Sequence, residues 1–71
     1  LKKKNKAFKV YPNPSNGLVN LDKYANVAVY GADGKLLEVY ENVIQFNLSE
    51  YPAGLYFIRN EEGATQRLLL N

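Results

Sequence analysis

The stretch Tyr51-Pro52-Ala53-Gly54-Leu55-Tyr56-Phe57-Ile58-Arg59, followed through Glu61-Glu62-Gly63 by Gln66-Arg67-Leu68-Leu69-Leu70-Asn71, holds two apolar runs joined by a short acidic link ending in glycine. Aromatic and β-branched side chains suit a pleated, half-buried surface, and a connection of three to five residues with glycine in the left-handed position makes a hairpin loop. The pattern predicts a β-hairpin with Gly63 supplying the positive φ. Side chains alternate across a strand, so Tyr56 and Ile58 on the core face put Leu55, Phe57 and Arg59 on the other. By the same rule Leu68 and Leu70 inside put Arg67, Leu69 and Asn71 outside. One face of a small antiparallel sheet is ordinarily solvated and polar; here it carries Leu55, Phe57 and Leu69, an apolar patch rimmed by Arg59 and Arg67. The last run also ends the sequence as a strand with no proline or inward charge to blunt its edge, which leaves a template for unwanted pairing. The expectation is that something occupies that hairpin: a loop, the N-terminal arm, or a partner.

Upstream the same period of two recurs in shorter pieces. Phe8 and Val10 alternate with Ala7, Lys9 and Tyr11. Pro12-Asn13-Pro14-Ser15-Asn16-Gly17 is a rigid corner, because proline fixes its own φ and extends the residue before it, and Asn-Gly tolerates positive φ. Leu18-Val19-Asn20-Leu21 reads as a second strand, Asp22-Lys23-Tyr24 as a connection, and residues 26–30 as a third strand with Val27 and Val29 on one face. Gly31-Ala32-Asp33-Gly34 repeats the logic of the terminal loop, with Gly34 in the place of Gly63. Residues 35–40 return, and Ile44, Phe46 and Leu48 alternate with Gln45, Asn47 and Ser49 as a fifth strand. No segment keeps a helical period, and turn signals recur every eight to twelve residues or so. About seven short strands at this spacing predict an all-β fold, a small antiparallel immunoglobulin-like β-sandwich, with a five- or six-stranded barrel such as an OB-fold as the alternative. The predicted core is Phe8, Val10, Val27, Val29, Ile44, Phe46, Leu48, Tyr56 and Ile58.

The 71 residues include no cysteine and no histidine. That excludes a disulfide framework, a Cys nucleophile, a His base and the usual zinc clusters. The two aspartates and five glutamates lie beside turns or on polar strand faces, and Ser15, Ser49 and Thr65 have no base to activate them, so an enzyme is not expected and no cofactor or metal is called for. Four of the nine basic residues, Lys2, Lys3, Lys4 and Lys6, fall in residues 1–6, which leaves five basic against seven acidic residues in the rest. A basic arm on a mildly acidic body is not the one-sided basic face of a nucleic-acid binder. Residues 1–6 are expected to be a flexible basic linker and residues 7–71 the folded domain. No apolar run is long enough to span a membrane as a helix, and membrane insertion is not expected. Asn47-Leu48-Ser49 fits the N-glycosylation tripeptide, a pattern common by chance.

Taken in order, Tyr11-Pro12-Asn13-Pro14-Ser15-Asn16-Gly17, Val27-Ala28-Val29-Tyr30 leading to Gly34-Lys35, Phe46-Asn47-Leu48-Ser49, Tyr51-Pro52-Ala53-Gly54-Leu55-Tyr56-Phe57-Ile58 and the apolar, basic-containing finish resemble the type A C-terminal sorting domain of the type IX secretion system. The resemblance covers about residues 10–71. It implies a label at the end of an upstream cargo, exported through the periplasm and across the outer membrane of a Gram-negative bacterium to the medium or the cell surface. The implied partners are the type IX translocon, which reads the domain, and a sortase-like peptidase that removes it. Carried over residue by residue, Gly54, Tyr56 and Ile58 match the Gly-x-Tyr-x-apolar motif, and Arg67, Leu68, Leu69, Leu70 and Asn71 match the terminal motif. Arg67 stands where the family usually has lysine, which keeps the charge but changes its geometry; Asn71 stands where a basic or apolar residue is common. Pro12, Asn13, Pro14, Gly17, Gly34 and Gly63 are expected as structural turns. A β-sandwich adhesion module for carbohydrate or protein and a nucleic-acid-binding barrel are the competing readings.

Overall fold

The structure, a computed structural model, describes residues 7–71; the linker expected at residues 1–6 lies outside the described residues. The described chain is all-β, with five strands: β1 (Val10–Tyr11), β2 (Leu18–Gly31), β3 (Leu36–Asn47), β4 (Gly54–Asn60) and β5 (Thr65–Leu70). They form one antiparallel sheet in the order β1-β2-β4-β5, with β3 paired to β2 as well. Five strands stand where about seven were expected because two pairs of predicted segments are continuous. Residues 18–21 and 26–30 run through Asp22-Lys23-Tyr24 as the single strand β2, and the two segments of residues 35–48 merge as β3.

What the sequence marks as a connection is an irregularity within paired strands. Asn20 faces Gln45 and Ala25 faces Val43, so five steps along β2 match two along β3. The surplus residues Asp22, Lys23 and Tyr24 are all exposed, and extra residues of this kind bend and twist a strand. Polar groups hold the bend. Asn42, at φ 53°, donates its N–H to Asn26 Oδ1 at 2.7 Å, and Asn26 donates its own to Glu61 Oε1 at 3.0 Å. The sheet therefore curls, and both halves of β2 feed one core. Val19 and Leu21 from one half and Val27 and Val29 from the other join Phe8, Phe46, Leu48, Tyr56, Ile58, Leu68 and Leu70.

The bend also moves one predicted core residue to the surface. Along β3 the side chains that pack on the core are Leu37, Tyr40, Val43 and Phe46, a spacing of three where an unbroken strand repeats every two. Each register shift resets the alternation. Ile44, which shares a face with Phe46 in the sequence pattern, is 38% exposed, and Val39 and Leu36 are more exposed still. Val10 is half-buried at the core margin. Tyr40 stacks on Phe46 with ring centroids 4.7 Å apart.

The two hairpin loops are built alike. Gly31 N–H donates to the Lys35 carbonyl and Gly34 N–H to the Gly31 carbonyl; in the second loop Asn60 N–H donates to the Ala64 carbonyl and Gly63 N–H to that of Asn60, all at 2.9–3.0 Å. Gly34 and Gly63 close them at φ 86° and 87°, the left-handed position that follows a tight turn in a three-residue hairpin loop. Asn60 adds a side-chain brace, its Oδ1 accepting the N–H groups of Glu62 and Ala64.

Candidate recognition hairpin

β4 and β5 pair in the register Leu55 with Leu69, Tyr56 with Leu68, Phe57 with Arg67 and Ile58 with Gln66. Tyr56, Ile58, Leu68 and Leu70 face the core, each 6% exposed or less. On the outer face Leu55 and Leu69 are 36% and 45% exposed, Phe57 is half-buried, and Arg59, Arg67 and Asn71 lie open. Leu55 and Leu69 are direct cross-strand partners, and with Asn13 and Arg67 they line a hollow of about 290 Å³. β2 continues the face, since Tyr30 pairs with Phe57 and Ala28 with Arg59.

The Gly-x-Tyr-x-apolar motif has a mechanical basis. After Leu48 the chain turns, Ser49 N–H donating to Asn47 Oδ1 at 2.7 Å and Tyr51 N–H to the Leu48 carbonyl at 2.9 Å. The Tyr56 ring lies in the core while its hydroxyl donates to the Pro52 carbonyl at 2.5 Å, so one side chain both fills the interior and ties down the Pro-Ala-Gly corner. Gly54 opens β4 at φ 148°. Tyr51 packs edge-on against Tyr56, with centroids 6.2 Å apart and planes at 67°, and Leu37, Tyr51, Pro52 and Leu55 border a shallow cleft of about 300 Å³.

Tyr51 donates its hydroxyl to Glu38 Oε2, and chiefly for that reason its phenol is pushed up from 10.0 to about 12. The folded value lies above the unfolded one, so stability from this bond is complete below pH 10 and is lost as the pH rises towards about 12. The difference in phenolate absorbance between the parent and Tyr51→Phe is expected to titrate near pH 12. A difference curve centred at the ordinary tyrosine value is the result against the bond.

The outer edge of β5 is not open. Asn13 reaches it with both ends of its carboxamide, donating Nδ2–H to the Arg67 carbonyl at 2.8 Å and accepting Leu69 N–H on Oδ1 at 3.0 Å. Ser15 continues the pairing, its N–H donating to the Leu69 carbonyl at 2.8 Å and its carbonyl accepting Asn71 N–H at 2.9 Å. Asn71 Nδ2–H then donates to Asn16 Oδ1 at 2.8 Å. The Pro12-to-Asn16 corner thus serves as a short parallel neighbour of β5, with an isolated bridge between Ser15 and Leu70. Of the occupants the sequence leaves open, a loop of the domain itself covers this edge, which is how folded proteins manage such edges.

This clamp is what the sequence reading misses. Asn13, Ser15 and Asn16 read locally as turn formers, and nothing in their composition points to a strand more than fifty residues away. Ser15 is the anchor. It is 1% exposed, its hydroxyl donating to the Leu18 carbonyl at 2.6 Å and accepting Gly17 N–H at 2.9 Å. The hydrogen bonds join the corner motif and the terminal motif into one surface of the domain.

A search among curated proteins returned no match. The model of the family described as "Secretion system C-terminal sorting domain" matches residues 9–69 and so takes in the corner, both hairpins and nearly all of β5. The chain belongs to that family, the C-terminal sorting signals of type IX secretion.

Proposed function

We propose that the outer face of the β4–β5 hairpin, together with the corner that covers its edge, is what the type IX translocon reads, and that a sortase-like peptidase removes the label from its cargo. The observation that carries this reading is the division of labour in the hairpin. Tyr56, Ile58, Leu68 and Leu70 hold the fold, which leaves Leu55, Phe57, Arg67, Leu69 and Asn71 outward, apolar and cationic, where a partner reaches them. Gly54, Tyr56, Ile58, Leu68 and Leu70 then act by shaping this surface rather than by touching the machinery. The two halves of β2 and β3 serve as the layers of an immunoglobulin-like packing beneath it. The peptidase cuts on the cargo side of residue 7, and the cargo ends in the medium or on the cell surface.

Arg67→Ala tests the reading. Its side chain is exposed, so truncation is expected to change stability by no more than about 0.5 kcal/mol, while export of a reporter fused ahead of residue 1 falls in a strain that has the machinery. Export equal to the parent, with the domain folded, would remove Arg67 from the recognised surface.

A further inference from the structure

The corner covering β5 contains the chain's single Asn-Gly pair, Asn16-Gly17. We propose that Asn16 is a latent modification site, converted to aspartate and isoaspartate when the terminal strand lets go of the corner and protected while the strand is seated. The reaction needs only water. The backbone nitrogen of residue 17 attacks Cγ of the Asn16 carboxamide, a new C–N bond forms, and the side-chain nitrogen leaves as ammonia with the proton given up by the attacking amide. Water then opens the resulting succinimide at either carbonyl, giving aspartate or isoaspartate. Glycine as the following residue has no side chain to hinder the attack.

Three features of the folded chain oppose this step. The attacking nitrogen is engaged, because Gly17 N–H donates to Ser15 Oγ at 2.9 Å within a buried turn. Gly17 is itself buried, packed so tightly on Ser49 that a Cβ built on it meets Ser49 Cβ at 2.7 Å, so the peptide has no room to swing towards the carboxamide. The carboxamide is latched as well: Asn16 Oδ1 accepts from Asn71 Nδ2–H, while Asn71 N–H holds the Ser15 carbonyl. Asn71 therefore guards the reaction twice, once through its backbone and once through its side chain.

The two products differ in consequence. Aspartate keeps an oxygen for Asn71 and lets the corner close again. Isoaspartate adds a backbone carbon between Ser15, which is pinned to β5, and Gly17, whose carbonyl accepts Leu48 N–H at 2.8 Å. Both anchors cannot then be met, and the β5 edge stays uncovered. Conversion is a one-way record that a molecule has been opened, and it does not depend on what reads the hairpin.

The test follows residue 16 by peptide mass mapping and by isoaspartyl methyltransferase labelling, in mildly alkaline buffer, for the native chain and for the same chain in guanidinium chloride. The native chain is expected to convert more slowly by about tenfold or more, the protection that local closure confers. Asn71→Ala removes only the side-chain latch at an exposed position and is expected to convert faster than the parent, whereas Leu36→Ser, at an exposed position on β3, leaves the rate unchanged. Equal rates in native and unfolded chains overturn the proposal whatever the variants do. A parent-like rate in Asn71→Ala overturns the role of the terminal residue.

Discussion

Gly17→Ala is expected to destabilise the domain by about 4 kcal/mol, the sum of a disfavoured backbone and an overpacked contact, and so to leave a chain of this size largely unfolded. Gly17 has φ +136°, a region that side-chain-bearing residues rarely enter, and the added methyl would lie 2.7 Å from Ser49 Cβ and 2.9 Å from Ser49 Cα. Neither partner retreats easily. The Gly17 carbonyl accepts Leu48 N–H, and the fully buried Leu48 fixes that backbone in the core. Gly54→Ala is the internal comparison: it has φ +148° but meets nothing within 4 Å, so it carries the backbone strain alone. Urea denaturation of the three chains checks the difference. A Gly17→Ala midpoint equal to that of Gly54→Ala contradicts the close approach of the corner to residue 49.

Deletion of residues 69–71 is expected to cost a similar amount, about 4 kcal/mol, and to unfold the domain rather than merely blunt a signal. Leu70 is 4% exposed, and removing such a side chain costs about 2–3 kcal/mol. The deletion also strips the acceptor from Ser15 N–H, a group on a residue that is 1% exposed, and an orphaned buried donor costs about 1–3 kcal/mol. Thermal melting of the isolated deletion checks this; a melting temperature equal to the parent's means the clamp contributes nothing. It follows that loss of export in a tail deletion reports on folding. Arg67→Ala, which leaves the Asn13 and Ser15 bonds in place, separates reading from folding.

The strands were legible wherever local pattern decides them. Tyr56, Ile58, Leu68 and Leu70 point inward as alternation requires, and Gly34 and Gly63 take the positive φ that a loop ending in glycine demands. Legibility fails where the outcome depends on distant partners. Asp22-Lys23-Tyr24 looks like a turn and is the bulge of a continuous strand, because β3 is there to pair on both sides of it. Ile44 follows its neighbours' alternation in the sequence and leaves their face in the fold, because the register shift at Val43 is a property of two strands. The outer surface of the hairpin was readable as an apolar and cationic face; its covered edge was not, since Asn13 and Ser15 carry no local mark of the strand they hold.

The corner also decides how the domain bears tension. β1 pairs with β2 at Val10 with Leu21 and Tyr11 with Asn20. Around that pair Lys9 exchanges backbone and side-chain bonds with Asp22, Asn20 Nδ2–H donates to the Tyr11 carbonyl, and Gln66 of β5 donates Nε2–H to the Phe8 carbonyl. A pull on residue 7 therefore first meets the buried Phe8 and these bonds and next loads the corner. Because that corner grips the Arg67 and Leu69 backbone, force entering at one end of the chain reaches the terminal strand without first shearing the long β2–β3 ladder. Residues 8–11, the corner and the last strand form a single load path, and whatever hauls on the one end strains the other.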